Sequence, residues 1–526
     1  MGPDAIALLG LVLALLVLAG VALAARTTVP APVILVAVGL AASFLPGAPE
    51  TRLPPQLIFL VFLPPLVFRA SFLTSPRQLR ENATALALLS VGLVAATAFG
   101  IAAVVSALIP GVTFAEGLVL GAVVAPTDPV AASSVFARLG APQRLVDLVE
   151  GESLINDATA LVLYAIAVDA VVSGPPSPGS AVMTLLLSVG GGIGVGLAIG
   201  ALVAFARRFV SDVGLQLLLS LITPFAAYIP AERIGGSGVL AVVTAGILLG
   251  STRQGVFSPS ARLQSGAFWS LLDLLLNAVL FVLLGLEIRQ VIANAPNVGA
   301  AALAGYAALV VATVVVIRMV WQLVIPPLAY RVRVALGRDA SPSSLPTRIL
   351  LGWTGMRGAI SLAAALALPL RAGARPFPDR SLLVFLTAAV VLVTLVVQGT
   401  SLPALLRRPF FDEQDDAEEE EIATRLALAE VALAHLDELE EQGGVPPGAS
   451  GPVRELWQQV RQRILAEGDE AAAAPAVNLT ELRLDIARVQ GAELERRERA
   501  GHVRSDLARE LRHELDLQEV RLDRAT

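Results

Sequence analysis

Five polar side chains sit inside two apolar stretches of this sequence, at spacings that suit a hard cation. In VVAPTDPVAASSVF (residues 123–136), Thr127 and Asp128 lie between Pro126 and Pro129. In GESLINDATALVLY (residues 151–164), Ser153 and Asp157 are four apart, with Asn156 beside them. On a helix that spacing puts Ser153 and Asp157 on one face, and Leu154, Ile155, Leu161 and Val162 cover others. A carboxylate and a hydroxyl are the oxygen ligands that hard ions take, and the carboxylate also carries a titratable proton. Asn156 is placed to add a ligand or to hydrogen-bond across to the first stretch. An ionised side chain at mid-bilayer depth costs roughly 2.5–3.5 kcal/mol on insertion scales, so each of these acids needs a partner or a function.

The two prolines add a structural expectation. Proline disfavours helix at the residue before it and removes a backbone donor. Asp128 followed by Pro129 reads as an N-cap and a first helical position. A helix is therefore expected to end near Pro126 and restart at Pro129. Broken helices with an acid at the break are a recurrent ion-site device in transporters. The plainer alternative is a proline kink in which Asp128 is only a cap, a task that serine performs without burying a charge.

A third stretch, GWTGMRGAISLAAALALPL (residues 352–370), carries Arg357 among Gly352, Gly355 and Gly358. A buried Arg needs an anion. Glu152, one residue outside the Ser153/Asp157 face, is the expected partner, with Asp128 and Asp157 as rivals. The Glu152–Arg357 pair is expected to be structural. Glu287, in GLEIRQ, is expected at an interface beside Arg289, with Arg318 or Arg69 as alternative partners.

These residues have to be positioned by membrane-spanning elements. The chain of 526 residues is 55% hydrophobic and 16% charged, well below the charge content of soluble domains. Apolar runs of spanning length begin near residue 4 and recur to residue 405, about thirteen in all, over 4–25, 31–46, 55–74, 83–109, 115–137, 145–172, 180–206, 212–230, 236–250, 266–292, 298–326, 347–371 and 381–405. The fold class is an all-α polytopic membrane protein. Cysteine is absent, which excludes disulfides, thiolate metal sites and thiol catalysis. Every basic residue is Arg, and the three histidines, His435, His502 and His513, all lie late in the chain. An intramembrane proton carrier must then be a carboxylate.

The first apolar run has no basic region before it and is not a secretory signal. Arg26 follows it, and alternate loops carry Arg77 and Arg80, Arg138 and Arg144, Arg207 and Arg208, Arg253 and Arg262, Arg331, Arg333 and Arg338, and Arg407 and Arg408. The positive-inside rule puts these loops in the cytoplasm, the N-terminus outside and the C-terminal tail inside. Arg371, Arg375 and Arg380 run against the pattern. From residue 409 onward the chain holds 28 of its 44 acidic residues and 14 of its 38 arginines. Residues 1–408 are read as the transport domain, and residues 409–526 as an acidic helical cytoplasmic tail, a solvated appendage or a regulatory element.

APTDPVAASSVFARLGAPQRL, EGESLINDATALVLY, LITPFAAYIPAERIGGSGVLAVVTAGILLG, FVLLGLEI and GWTGMRGAISLAAALALP stand in one order between about residues 55 and 408. Together they resemble the bacterial branch of the monovalent cation:proton antiporter-1 family, the sodium/proton exchangers. The resemblance implies thirteen helices in two inverted repeats, a core domain moving against a dimerisation domain, and a homodimer. It implies a sodium site of Asp128, Ser153, Asp157 and the backbone oxygen of Thr127, and a core ion pair of Glu152 with Arg357. An Asn-Asp pair, here Asn156 and Asp157, marks the electroneutral exchangers of that family. One departure is Arg69 in FLPPLVFRASF, where some relatives carry an acid that helps the cation site.

The expected function is electroneutral exchange of Na⁺ (or Li⁺ or K⁺) for H⁺ by alternating access in a bacterial plasma membrane, serving pH and sodium homeostasis, with cation and proton competing at Asp157. No cofactor, no catalytic residue and no nucleic-acid partner is expected; the partners are lipid, the transported ions and a second copy of the chain. K⁺/H⁺ exchange is the alternative within the class. An intramembrane aspartyl protease needs two facing acids sharing a proton and lacks a Gly-x-Gly-Asp element here. A cation channel would move charge without protons.

Overall fold

In the computed structural model the described residues are 3–27, 30–44, 55–74, 83–129, 132, 136, 143–174, 178–210, 212–251, 259–293, 299–336, 344–373, 375–406, 414–442, 450–467 and 496. Contacts divide the chain into two units, Met1–Gln414 and Asp415–Thr526.

Helices dominate the first unit. They are α1 (Pro3–Ala24), α2 (Ala31–Ala42), α3 (Pro55–Leu73), α4 (Ala83–Leu108, with a π-helical turn at Leu88–Gly92), α5 (Phe114–Val124), α6 (Gln143–Ser173), α7 (Pro178–Arg207), α8 (Val213–Arg233), α9 (Gly238–Ser251), α10 (Pro259–Ala293), α11 (Ala300–Ala335), α12 (Leu345–Trp353), α13 (Ala359–Leu366) and α14 (Arg380–Leu406). Seven are long and apolar enough to cross a membrane and five more are shorter apolar helices. With the broken pair α12/α13 these make thirteen apolar elements among the described residues, the number of apolar runs in the sequence. The outer faces of α1, α7 and α11 expose Leu11, Leu15, Leu18, Leu186, Leu202, Val316, Val320 and Val324. With every helical backbone bonded internally, this is a surface for lipid.

Local chemistry sets several ends. Thr113 and Glu116 form a reciprocal capping box at the start of α5. Ser344 caps α12 through Thr347 N, and Asp212 caps α8 through Leu215 N. Small residues let α4 and α5 touch: a Cβ on Gly121 would collide with the Ala98 carbonyl, and one on Gly117 would lie 2.9 Å from Ala102 Cα. Two elements outlast their sequence limits. α11 runs through Pro326 and Pro327 to Ala335, and α10 begins at Pro259.

The run at residues 347–371 is not one helix. It breaks at residues 354–358, between α12 and α13. A short antiparallel hairpin, β1 (Arg371–Ala372) with β2 (Arg375–Pro376), then leads to α14. Arg380 donates to the carbonyls of Leu366 (2.8 Å) and Leu368 (3.0 Å). Its charge serves the C-terminal carbonyls of α13, which accounts for one arginine that runs against the loop pattern.

In the second unit, α15 (Gln414–Glu441) and α16 (Gly451–Glu467) are joined by Arg454, which reaches Asp437 (2.6 Å) and Glu440 (3.0 Å). Ser450 also donates to Glu440. Arg77, Arg80, Arg138, Arg253, Arg338, Arg407 and Arg408, the 408/409 boundary, His502, His513 and residues 468–478 lie outside the described residues.

Candidate functional site

The proline-flanked stretch is a helix break. α5 ends at Val124, residues 125–128 are non-helical, and helix resumes at Pro129. The second break, at residues 354–358, crosses it: Asp128 N donates to Met356 O at 2.8 Å. Gly358 is required at this crossing, because a Cβ there would overlap the Asp128 carboxylate. The two breaks fall after α5 and between α12 and α13.

α6 packs against the first break and binds it through side chains. Ser153 Oγ donates to Thr127 O (2.7 Å), and Asn156 Nδ2 donates to Thr127 Oγ1 (2.8 Å). Asn156 thus takes the cross-strut role rather than presenting its nitrogen to the cavity, while its Oδ1 is buried with no hydrogen-bond partner among the described residues. Thr127, Ser153, Asn156 and Asp157 are all buried, and Asp157 lies within electrostatic reach of Asp128. Thr127, Asp128, Ser153 and Asp157 share one cavity with Pro126 and Pro129. The structure therefore brings together five of the expected site residues around Thr127 and opens four of them onto a common space.

The ion pair differs from the expectation. Glu152 is held by Arg318, not Arg357: Nη1 is 2.5 Å from Oε1 and Nη2 is 3.0 Å from Oε2. Both side chains are almost fully buried. Arg318 also donates to Leu351 O from Nε (3.3 Å) and Nη2 (3.1 Å), so one guanidinium ties α11 to α6 and α12. Arg357 instead donates from Nε to Val124 O (2.9 Å) and from Nη1 to Gly355 O. Its place at the C-terminal carbonyls of α5 explains this, since those groups carry partial negative charge. Glu287 is half-buried within electrostatic reach of Arg380, and Arg289 turns to Ser43 O (2.6 Å) and the Phe44 ring.

Three cavity residues were missed in the sequence reading as site residues. Asp273 and Asn277, one turn apart on α10, line the same cavity, as does Ser361 on α13. Asp273 lies 3.3 Å from Arg69. The signal was present: an acid and an amide at i, i+4 in an otherwise apolar run. No group of three or more His, Cys, Asp or Glu able to hold a metal occurs among the described residues. The cavity offers mixed oxygen donors and three carboxylates, those of Asp128, Asp157 and Asp273, the donor type that hard cations take.

Residues 11–408 match the family model described as sodium/hydrogen exchanger, transmembrane. The match starts well before residue 55, where the recognisable motifs begin. An uncharacterized Na(+)/H(+) exchanger of Mycobacterium tuberculosis is 34% identical over 515 residues, 96% of this chain and 94% of the relative. A sodium, potassium, lithium and rubidium/H(+) antiporter of Bacillus subtilis is 33% identical over 391 residues, covering 72% of this chain and 58% of that protein. Among solved structures, the sodium proton antiporter MjNhaP1 of Methanocaldococcus jannaschii superposes with a TM-score of 0.58 at 18% identity, over 77% of this chain and 98% of that one. That likeness is one of fold.

Proposed function

The chain belongs to the sodium/hydrogen exchanger family, and we propose that it exchanges Na⁺ for H⁺ electroneutrally across a bacterial plasma membrane by alternating access. The observation that carries this reading is the cavity at the crossed breaks, where Asp157 and Asp128 come from separate elements and meet beside Ser153 and Thr127 O. A cation and a proton are alternative counter-charges for Asp157. A bound cation disfavours protonation, and a protonated Asp157 is a poor ligand. Competition at one site, with the site presented to each side in turn, couples the two fluxes.

Each neighbour has a role in this scheme. Asp128 and Ser153 Oγ add ligands, with Thr127 O as the backbone donor. Ser153 Oγ and Thr127 O bond each other, so a cation bound by both would replace that hydrogen bond. Asn156 holds the break to α6 through Thr127. Glu152 with Arg318, and Arg357 at the end of α5, hold the frame and carry no ion. The transport domain comprises residues 1–408, working as a homodimer with the N-terminus outside. The acidic tail from residue 409 is cytoplasmic and modulatory. Exchange of this kind serves pH and sodium homeostasis.

A second reading, K⁺/H⁺ exchange, is favoured by the Bacillus subtilis relative, whose name includes potassium. Purified protein in proteoliposomes, given equal gradients of Na⁺, Li⁺ and K⁺ in parallel, tests both. Proton movement driven by Na⁺ without charging the membrane supports the first. Movement driven by K⁺ alone supports the second. Membrane charging without proton movement contradicts both.

A further inference from the structure

The cavity holds a residue that a cation site does not ask for. Arg69 on α3 lines it together with Leu66 and Ala70, facing Asp128, Ser153 and Asp157. An arginine does not release its proton in a protein, so Arg69 cannot shuttle protons. Its effect there is that of a fixed positive charge opposing the entry of another. Asp273 on α10 offsets that charge, with its Oδ2 3.3 Å from Arg69 Nη1.

The protein contains its own comparison. The Glu152–Arg318 pair is two-pronged, at 2.5 and 3.0 Å, with side chains 1% and 2% exposed. The Asp273–Arg69 pair is a longer contact, 3.3 Å, with side chains 14% and 26% exposed, and Arg69 Nε is buried with no partner among the described residues. The first pair is a fixed joint. The second is longer, partly exposed, and borders the cavity of Asp128 and Asp157. Asn277 Nδ2 donates to the Asp273 backbone carbonyl (2.8 Å) and also lies beside the Asp273 carboxylate, which it shares with Arg69.

We infer that Asp273 is a further cation-binding carboxylate of this cavity and that Arg69 is a tethered competitor for it, holding Asp273 until a transported cation takes its place. This rests on the antiport reading above. The pair supplies no proton, so it sets how much cation is needed for half-maximal exchange and leaves the proton-to-cation ratio alone. Removing the competitor and removing the ligand then act in opposite directions. A purely structural pair has no such opposition: losing either partner would impair folding or maximal rate in the same sense.

The test is a sodium titration of proton movement in proteoliposomes with wild type, Arg69→Gln, Asp273→Asn and Asp273→Glu, each first checked as a monodisperse species in detergent. Arg69→Gln is expected to lower the half-saturating sodium concentration and Asp273→Asn to raise it, each by a factor on the order of ten for a partly screened charge. The ion ratio is expected to stay that of wild type, and Asp273→Glu, which keeps the charge, to shift half-saturation less than Asp273→Asn does. Either of the first two variants decides alone if the other fails to fold. Unchanged half-saturation in a folded Arg69→Gln or Asp273→Asn protein, or shifts of one sign in both, would overturn the inference. The wild type in the same vesicles separates the two claims: no sodium-driven proton movement there would end the antiport reading itself, whereas an active wild type with unshifted variants would end only the role of this pair.

Discussion

Arg318 grips both carboxylate oxygens of Glu152, from a helix more than 160 residues further along the chain. The pair sits one residue from Ser153 and a turn from Asp157, yet it does not line the cavity. Thr127 Oγ1 approaches Glu152 Oε1 at 3.5 Å, and Ser90 Oγ donates to the Glu152 carbonyl at 3.0 Å. The pair therefore fixes α6 against α4, α11, α12 and the first break at once.

Breaking one side of that pair leaves the other charge buried alone, which destabilises by roughly 3–5 kcal/mol. Glu152→Gln and Arg318→Gln should each unfold at lower temperature in detergent. The double variant should lose clearly less than the sum of the singles. The same cycle on Glu152 and Arg357 should show a smaller coupling, since Arg357 is bonded to carbonyls. Equal coupling in both cycles would contradict the assigned pairing.

Gly358→Ala should abolish exchange, because its methyl group claims the position of the Asp128 carboxylate. Gly266→Ala, on α10 with open space around it, is the control. It should keep exchange and be neutral or stabilising by up to about 1 kcal/mol from helix propensity. Exchange that survives in a folded Gly358→Ala protein would show that the crossing tolerates a displaced Asp128.

Much of this arrangement was legible in the sequence. Pro126 and Pro129 told where one helix breaks, because proline's constraints are local. Asn156, Ser153 and Asp157 could be grouped because helical spacing is local too. The choice of Arg318 over Arg357 was not legible. Both are buried arginines in apolar spans, and which meets Glu152 depends on how α11 and the second break pack around α6. The role of Arg357 at the Val124 carbonyl likewise needs two breaks to cross in space. Asp273 and Asn277 were visible as a polar pair, but only packing assigns them to this cavity.

Ser153→Ala should raise the half-saturating cation concentration severalfold while preserving the fold. It removes a ligand and leaves Thr127 O without its 2.7 Å donor, a loss of about 1–3 kcal/mol if the carbonyl finds no other partner. Cation titration of exchange, paired with a melting curve, separates the two effects. Unaltered half-saturation would remove Ser153 from the ligand set.

In the tail, the hydrogen bond from Ser450 and then that from Arg454 hold the Glu440 carboxyl below its ordinary range. A depressed carboxylate contributes stability that is present above the unfolded value, about 4.3, and is lost as pH falls through the lower folded value. The α15–α16 clasp should therefore be unchanged between pH 6 and 8 and weaken only in strong acid. Amide exchange of this hairpin across that range checks it. Opening between pH 6 and 7 would make it an acid sensor, contrary to this reading. Deleting the chain after Arg408 should accordingly leave exchange intact, with at most a shifted pH or cation dependence.

The central claim is that Asp157 carries cation and proton in turn, and sodium-driven proton movement by purified Asp157→Asn protein in proteoliposomes tests it most directly. The amide keeps the size and most of the polarity of the side chain but cannot be ionised. With size-exclusion and melting behaviour like wild type, this protein should show proton movement no greater than that of protein-free vesicles at every pH and sodium concentration tried. Sodium-dependent proton movement above that background in the folded variant would contradict the claim and move the coupled site to other carboxylates of the cavity.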